Sequence, residues 1–186
     1  MDTFISRYQT LIMNFELEKA ISILERTPII LYQYLNGLPL EWTNENEGPD
    51  TWSPYDIIGH LIHGEKTDWL VRTKIILSQI PDQSFEPFDR FAQFEKSKGK
   101  TLNQLIEEFI DLRSNNLQAL KAMNITDDQL SLKGKHPELG TVTLSQTLAA
   151  WVVHDLGHIS QISRVMAKQY KSEVGPWTEY LTIVHN

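Results

Sequence analysis

The chain of 186 residues is 41% hydrophobic, enough to bury an apolar core without covalent staples, so a single domain over 1–186 is expected. The absence of cysteine excludes disulfides, thiolate metal sites and a cysteine nucleophile, and fits a cytoplasmic setting. A formal charge of -7 without a basic stripe argues against a nucleic-acid partner, and no apolar run approaches the ~20 residues of a membrane span.

Met1 to Asn14 mix apolar and polar residues without a clear cap and read as a lead-in. From Phe15 onward, Leu17, Ile21, Leu24, Leu31 and Leu35 recur at helical intervals. Gly37 and Pro39 supply the stop, and a kink or break is expected at Pro28. Glu41 to Asp50 is polar and turn-rich, as in a surface loop. Ser53 followed by Pro54 is an N-cap with proline in the first helical position, and the helix it opens runs towards Gln79. Ile57, Ile58, Leu61, Ile75 and Ile76 mark its inner stripe, with Glu65, Asp68 and Arg72 in the same sector. Asp68 and Arg72 are four apart and can pair.

Pro81 ends that helix. The connection to Lys100 carries Phe85, Phe88, Phe91 and Phe94, too aromatic for a free linker, and is expected to pack across one end of the domain. Thr101 and Gln104 form a capping box for a third helix reaching Met123. Gly134, Pro137 and Gly140 break Asn124 to Thr143 into turns or a short hairpin. The longest periodic stretch, Leu144 to Lys168, shows an apolar stripe through Leu148, Trp151, Ile159, Ile162 and Val165. Gly175 and Pro176 open a short C-terminal helix with Trp177, Tyr180 and Leu181. Four long amphipathic helices and no convincing strand pair predict an all-α helix bundle.

His154 and His158 lie one turn apart at the edge of that last stripe, so both imidazoles leave one face and can close on one ion. Alone, such a pair is as readily two hydrogen-bonded core histidines. GHLIHGE adds His60, nearer the inner stripe and the better third ligand, and His63, which points further outward. Three neutral imidazoles leave coordination positions open, the arrangement of a reactive centre. Gln161, one turn beyond His158, is placed to hydrogen-bond a ligand imidazole, and Trp151 to line the pocket. Asp155 falls mid-stripe, where it either pairs with Arg72 across the bundle, the favoured reading, or acts as a general base. His136 and His185 read as surface residues. There is no phosphate-binding glycine loop, nucleophile elbow or HExxH motif.

The segments TWSPYDIIGHLIHGEKTDWLVR, WVVHDLGHISQISRV and VGPWTEYL, in that order, resemble the DinB-like superfamily, which includes the bacterial YfiT-type proteins. The resemblance implies an up-and-down four-helix bundle with an unusual connection between its middle helices. It also implies a divalent ion, nickel or zinc, held by three histidines, here His60 in GHL and His154 and His158 in HDLGH. Relatives look like S-transferases or isomerases that use a low-molecular-weight thiol, while others look like metal-dependent hydrolases. The expected function is therefore a metal-dependent enzyme that activates such a thiol for transfer to a small electrophile, with no catalytic residue assigned beyond the ligands. Two readings compete with it. One is hydrolysis by metal-bound water with Asp155, Glu65 or His63 as proton acceptor, and the other is a non-enzymatic metal or small-molecule binding module. The aromatic C-terminal segment serves either a homodimer interface or a cap on the chain's own bundle.

Overall fold

The computed structural model describes residues 14–185, so the lead-in before Asn14 lies outside the described residues. Two of the four long helical units are bent, and each bend has a local cause. The first unit comprises α1 (Leu17–Leu24) and α2 (Arg26–Leu35), with the break at Glu25. Pro28 has no N–H to give the Leu24 carbonyl one turn back. The Arg113 guanidinium donates to that oxygen instead, at 2.9 Å. The expected break thus falls at the carbonyl the proline leaves free, not at the proline itself.

The stretch from Glu41 to Asp50 is not all loop, because α3 (Leu40–Asn44) runs into it. The second unit, read from sequence as one helix, is α4 (Pro54–Thr67) followed by α5 (Trp69–Ser78). Ser53 and Asp56 cap its start reciprocally, and Gln79 closes it in the left-handed region. It bends at Asp68 (φ -117°, ψ -83°), although the Asp68 N–H still donates to the Gly64 carbonyl at 3.0 Å. The aromatic connection contains α6 (Ala92–Ser97) and packs through only half of its phenylalanines. Phe85 is buried and Phe88 half-buried, whereas Phe91 and Phe94 are exposed.

The third unit is α7 (Leu102–Ala122), which opens on the Thr101/Gln104 capping box. A hairpin of β1 (Lys133–His136) and β2 (Gly140–Thr143) follows, and Phe85 packs onto it. A side chain at Gly134 would meet the Phe85 ring at 2.6 Å, so glycine permits this approach. The fourth unit, α8 (Leu144–Gln169), opens on Thr143 and Gln146. The expected short C-terminal helix opens at Gly175 as a 3-10 helix, Gly175–Glu179, and a second follows at Thr182–Val184, with Trp177 and Tyr180 exposed.

α4 packs on α7 and α8, α2 on α7, and α1 and α5 on α8, so the four units form a helix bundle. Its apolar residues divide into two clusters. One gathers Leu24, Trp69, Leu117, Leu148 and Trp151, and the other Leu31, Leu61, Ile106, Phe109 and Ile162. Among the described residues no helix is long and apolar enough to cross a membrane.

Glu47, in the loop after α3, fastens that loop to α8. Arg164 donates to its two oxygens at 2.8 Å each, and Lys168 lies 2.9 Å away. The Arg164 hydrogen bonds outweigh burial and, with Lys168, lower the Glu47 carboxyl from 4.5 to about 2. Between those values the unfolded chain binds a proton that the folded chain does not, so this contribution is present above 4.5 and is lost as pH falls towards 2. Denaturation midpoints measured from pH 6 to 3 are expected to fall less steeply for Glu47→Gln than for the wild type. Parallel curves would show that the pair does not contribute to stability.

Candidate metal centre

α4 carries His60 past the edges of His154 and His158 on α8. His60 Nε2 and His158 Nε2 each lie 3.0 Å from His154 Nε2, and one ring nitrogen from each histidine falls within 4.8 Å of the other two. Three donors at about 2.0–2.1 Å from one tetrahedral ion would be about 3.3 Å apart, close to this spacing. His60 is buried, and His154 and His158 are half-buried.

Burial, with His158, His63 and Arg90 nearby disfavouring a further charge, pushes His60 down to about 3. Burial, with the adjacent His158 and His60, pushes His154 to about 2. Burial also lowers His158, against the opposing pull of Gln161. All three imidazoles are therefore neutral at pH 7, each with one lone pair free.

The hydrogen-bond inventory favours a cation among them. Gln161 Oε1 sits 2.9 Å from His158 Nδ1 and fixes that proton on Nδ1, leaving Nε2 as a lone pair. His60 Nδ1 and His154 Nδ1 are buried without a partner among the described residues. Protons on those nitrogens leave three Nε2 lone pairs facing one another, and protons on Nε2 crowd the same point. A cation at the meeting point resolves this conflict. The donor set is three neutral imidazoles, with no thiolate or carboxylate, and suits a borderline divalent transition metal or zinc.

A cavity of about 380 Å³ opens onto the cluster. Trp52 lies 4.8 Å from the His60 ring and stacks on His158 at 6.4 Å, Trp69 meets His154 edge-on at 5.1 Å, and Phe88 meets His60 edge-on at 5.4 Å. Asp68, Arg72 and Arg90 also line the cavity, and His136 and Glu138 of the hairpin reach its mouth. Asp68 and Arg72 pair, as their spacing suggests. Burial raises the Asp68 carboxyl to about 6 despite Arg72.

Several sequence expectations change here. His63 does not point outward. It is buried, 4% exposed, but turned away from the cluster, with Nδ1 3.1 Å from Lys96 Nζ. His136 is not purely superficial, since it borders the cavity. Trp151 is fully buried in the core and bonds Glu65 Oε1 through its Nε1 at 3.2 Å, so the cavity walls are Trp52 and Trp69 instead.

The expected pairing of Asp155 with Arg72 is wrong, because Arg72 is taken by Asp68 on its own unit. The partner of Asp155 is Arg113, which sequence reading passed over. Arg113 Nη1 donates to Asp155 Oδ2 at 2.6 Å and Nη2 to Oδ1 at 3.0 Å. The same guanidinium meets Glu65 Oε1 through Nε at 3.1 Å and Nη2 at 2.8 Å. Burial opposes the charge on Arg113, but the two carboxylates hold its pKa above the usual arginine value. Its signal was present in the sequence, since Phe109, Arg113 and Leu117 form one i+4 row on α7. Glu65 and Asp155 are bound to Arg113 and do not line the cavity, so they are not placed to act as proton acceptors.

The bundle with three histidines converging beside an aromatic cavity defines the class of a candidate metal-dependent helical protein. The DinB superfamily pattern matches residues 23–162, and the chain belongs to that superfamily. The fold is also that of YfiT from Bacillus subtilis, described as a probable metal-dependent hydrolase with an unusual four-helix bundle topology. That likeness has a TM-score of 0.72 and 21% identity, and covers 87% of this chain and 91% of the other. No curated protein matches the chain.

A double-mutant cycle checks the corrected pairing. Coupling between Asp155→Asn and Arg113→Leu is expected to reach ~3 kcal/mol or more, as for a buried pair losing one partner. Coupling between Asp155→Asn and Arg72→Gln should lie near zero, with both cycles read by urea denaturation. A reversed order would restore the Arg72 pairing.

Proposed function

We propose that this protein is a metal-dependent enzyme in which His60, His154 and His158 hold a divalent ion that activates a low-molecular-weight thiol for transfer to a small electrophile. The observation that carries the reading is the convergence of three neutral imidazoles, one buried and two half-buried, at a cavity with aromatic walls. When bound, such an ion supplies Lewis acidity that lowers the pKa of a nucleophile at an open coordination position. The chain has no cysteine, so the thiol is a cosubstrate. A cavity of about 380 Å³ has room for a small thiol beside a compact acceptor. Thiol S-transferases are among the activities that the resemblance to the superfamily implies, and the assignment follows them.

The chain's own residues have separable roles in this proposal. Gln161 orients His158 through Nδ1. Trp52 and Trp69 shield the cluster from bulk water. Asp68, raised to about 6 and lining the cavity, is the carboxylate suited to take a proton near neutral pH. Asp68 also favours a second reading, hydrolysis, because a proton acceptor of this pKa serves water as well as a thiol. YfiT, a probable metal-dependent hydrolase, points the same way.

Metal analysis and an assay together test the proposal. Purified protein should hold one divalent ion per chain, His60→Ala or His154→Ala should lower affinity by ~100-fold or more, and His63→Ala should not. Turnover of a haloarene should require added thiol, whereas turnover with water alone would select the hydrolase reading. A protein that carries no ion and takes none up would overturn both and leave a binding module.

A further inference from the structure

The five tryptophans differ in what their indole N–H groups do. The Trp151 N–H is consumed by Glu65. Trp69 is 8% exposed, yet its N–H has no acceptor among the described residues. Its Nε1 faces Gly64, where a side chain would lie 3.2 Å away, and both residues line the cavity above the histidines. The missing side chain at Gly64 therefore leaves the indole donor of a largely buried residue open to the cavity. Indole is donor-only, so this position accepts oxygen or another acceptor and rejects a second donor.

The cavity's charges do not impose a different preference. Arg72 is paired with Asp68, and the other two charged side chains of the lining, Arg90 and Glu138, are opposite in sign. Among the lining side chains formal charges are equal in number, so the selection they exert falls to hydrogen-bonding groups and shape. The walls are the aromatic faces of Trp52 and Phe88, and arginine donors accompany the Trp69 N–H. A flat apolar body bearing an acceptor oxygen satisfies both the walls and the donor, whereas a flat body bearing an ammonium leaves the Trp69 N–H unpaired and adds an unmatched donor.

We infer that Trp69 is a specificity-determining residue whose indole N–H binds an acceptor oxygen of the substrate, making the substrate a small, flat molecule with a carbonyl or carboxylate group. The inference rests on the cavity being the active site proposed above. An acceptor oxygen held there beside the three-histidine floor is also where negative charge develops when a carbonyl or a conjugated ring is attacked. A fixed donor at that place favours the transition state over the ground state.

Benzoate and benzylamine form a matched probe pair, equal in ring and opposite in hydrogen-bonding character. The five indole N–H signals of ¹⁵N-tryptophan-labelled protein are recorded during titration with each, and Trp69 is assigned by its loss in Trp69→Phe. Benzoate is expected to move the Trp69 signal downfield and to bind at least tenfold more tightly than benzylamine. Trp69→Phe should weaken benzoate about tenfold while metal content stays unchanged. Because Trp69 stacks on Trp151 at 6.0 Å, Gly64→Ala provides a second variant that narrows the open space without removing the ring, and it should weaken benzoate in the same direction.

Equal binding of the two probes, or benzoate binding with an unmoved Trp69 signal, would overturn the assignment. Failure of the metal reading registers separately. A benzoate-dependent Trp69 shift in protein without metal would leave Trp69 as a ligand donor and remove only the metal chemistry.

Discussion

The arrangement of this bundle depends on one buried cation. Arg113, 1% exposed on α7, touches three other helical units. It donates to Glu65 on α4, to Asp155 on α8, and to the Leu24 carbonyl that Pro28 leaves unpaired. Asn116 completes Glu65 by donating to Oε2 at 2.9 Å, and Trp151 donates to Oε1. Phe109 and Trp151 lie against the guanidinium at 4.9 and 5.1 Å. A guanidinium serves here because its planar fork can address several oxygens at once, and because it cannot be neutralised by losing a proton. Breaking such a pair from one side strands a charge, so the four units are held in one register more strictly than apolar packing alone would hold them.

That register is what the candidate metal centre requires. Along the second unit, Glu65 falls between the apolar contacts of Leu61 on α4 and Trp69 on α5, and along α7, Arg113 falls between Phe109 and Leu117. The ionic layer thus separates the two apolar clusters. It also joins α4 to α8 near the level where His60 faces His154 and His158. Asp155 is adjacent to His154 in sequence, so the residue that locks α8 also sets the direction of the imidazole beside it. The histidines stay neutral because the aromatic walls keep water away, and neutral imidazoles are the form that ligates.

Much of this was legible in the sequence because it is local. The Ser53, Thr101 and Thr143 starts follow from capping chemistry between neighbours, and the convergence of His154 and His158 follows from one helical turn. Helix phase put His63 further outward than His60, but both proved buried, and what separates them is that His60 faces α8. What failed was long-range. The partner of Asp155 depends on how α7 sits against α8, and Arg113 was hidden because a cation within an apolar row reads as an interruption of the stripe. The bend at Asp68 was equally invisible, since no proline or glycine marks it. The role of Trp69 emerges only when Gly64 and the cavity are seen beside it.

X-ray absorption at the metal edge of protein loaded with a single divalent ion tests the central claim most directly. Three imidazole nitrogens at about 2.0–2.1 Å are expected, with the remaining coordination filled by exchangeable oxygen that a small thiol replaces with sulfur. A spectrum with fewer than three imidazoles would contradict it, as would a closed shell of four protein ligands unaffected by thiol.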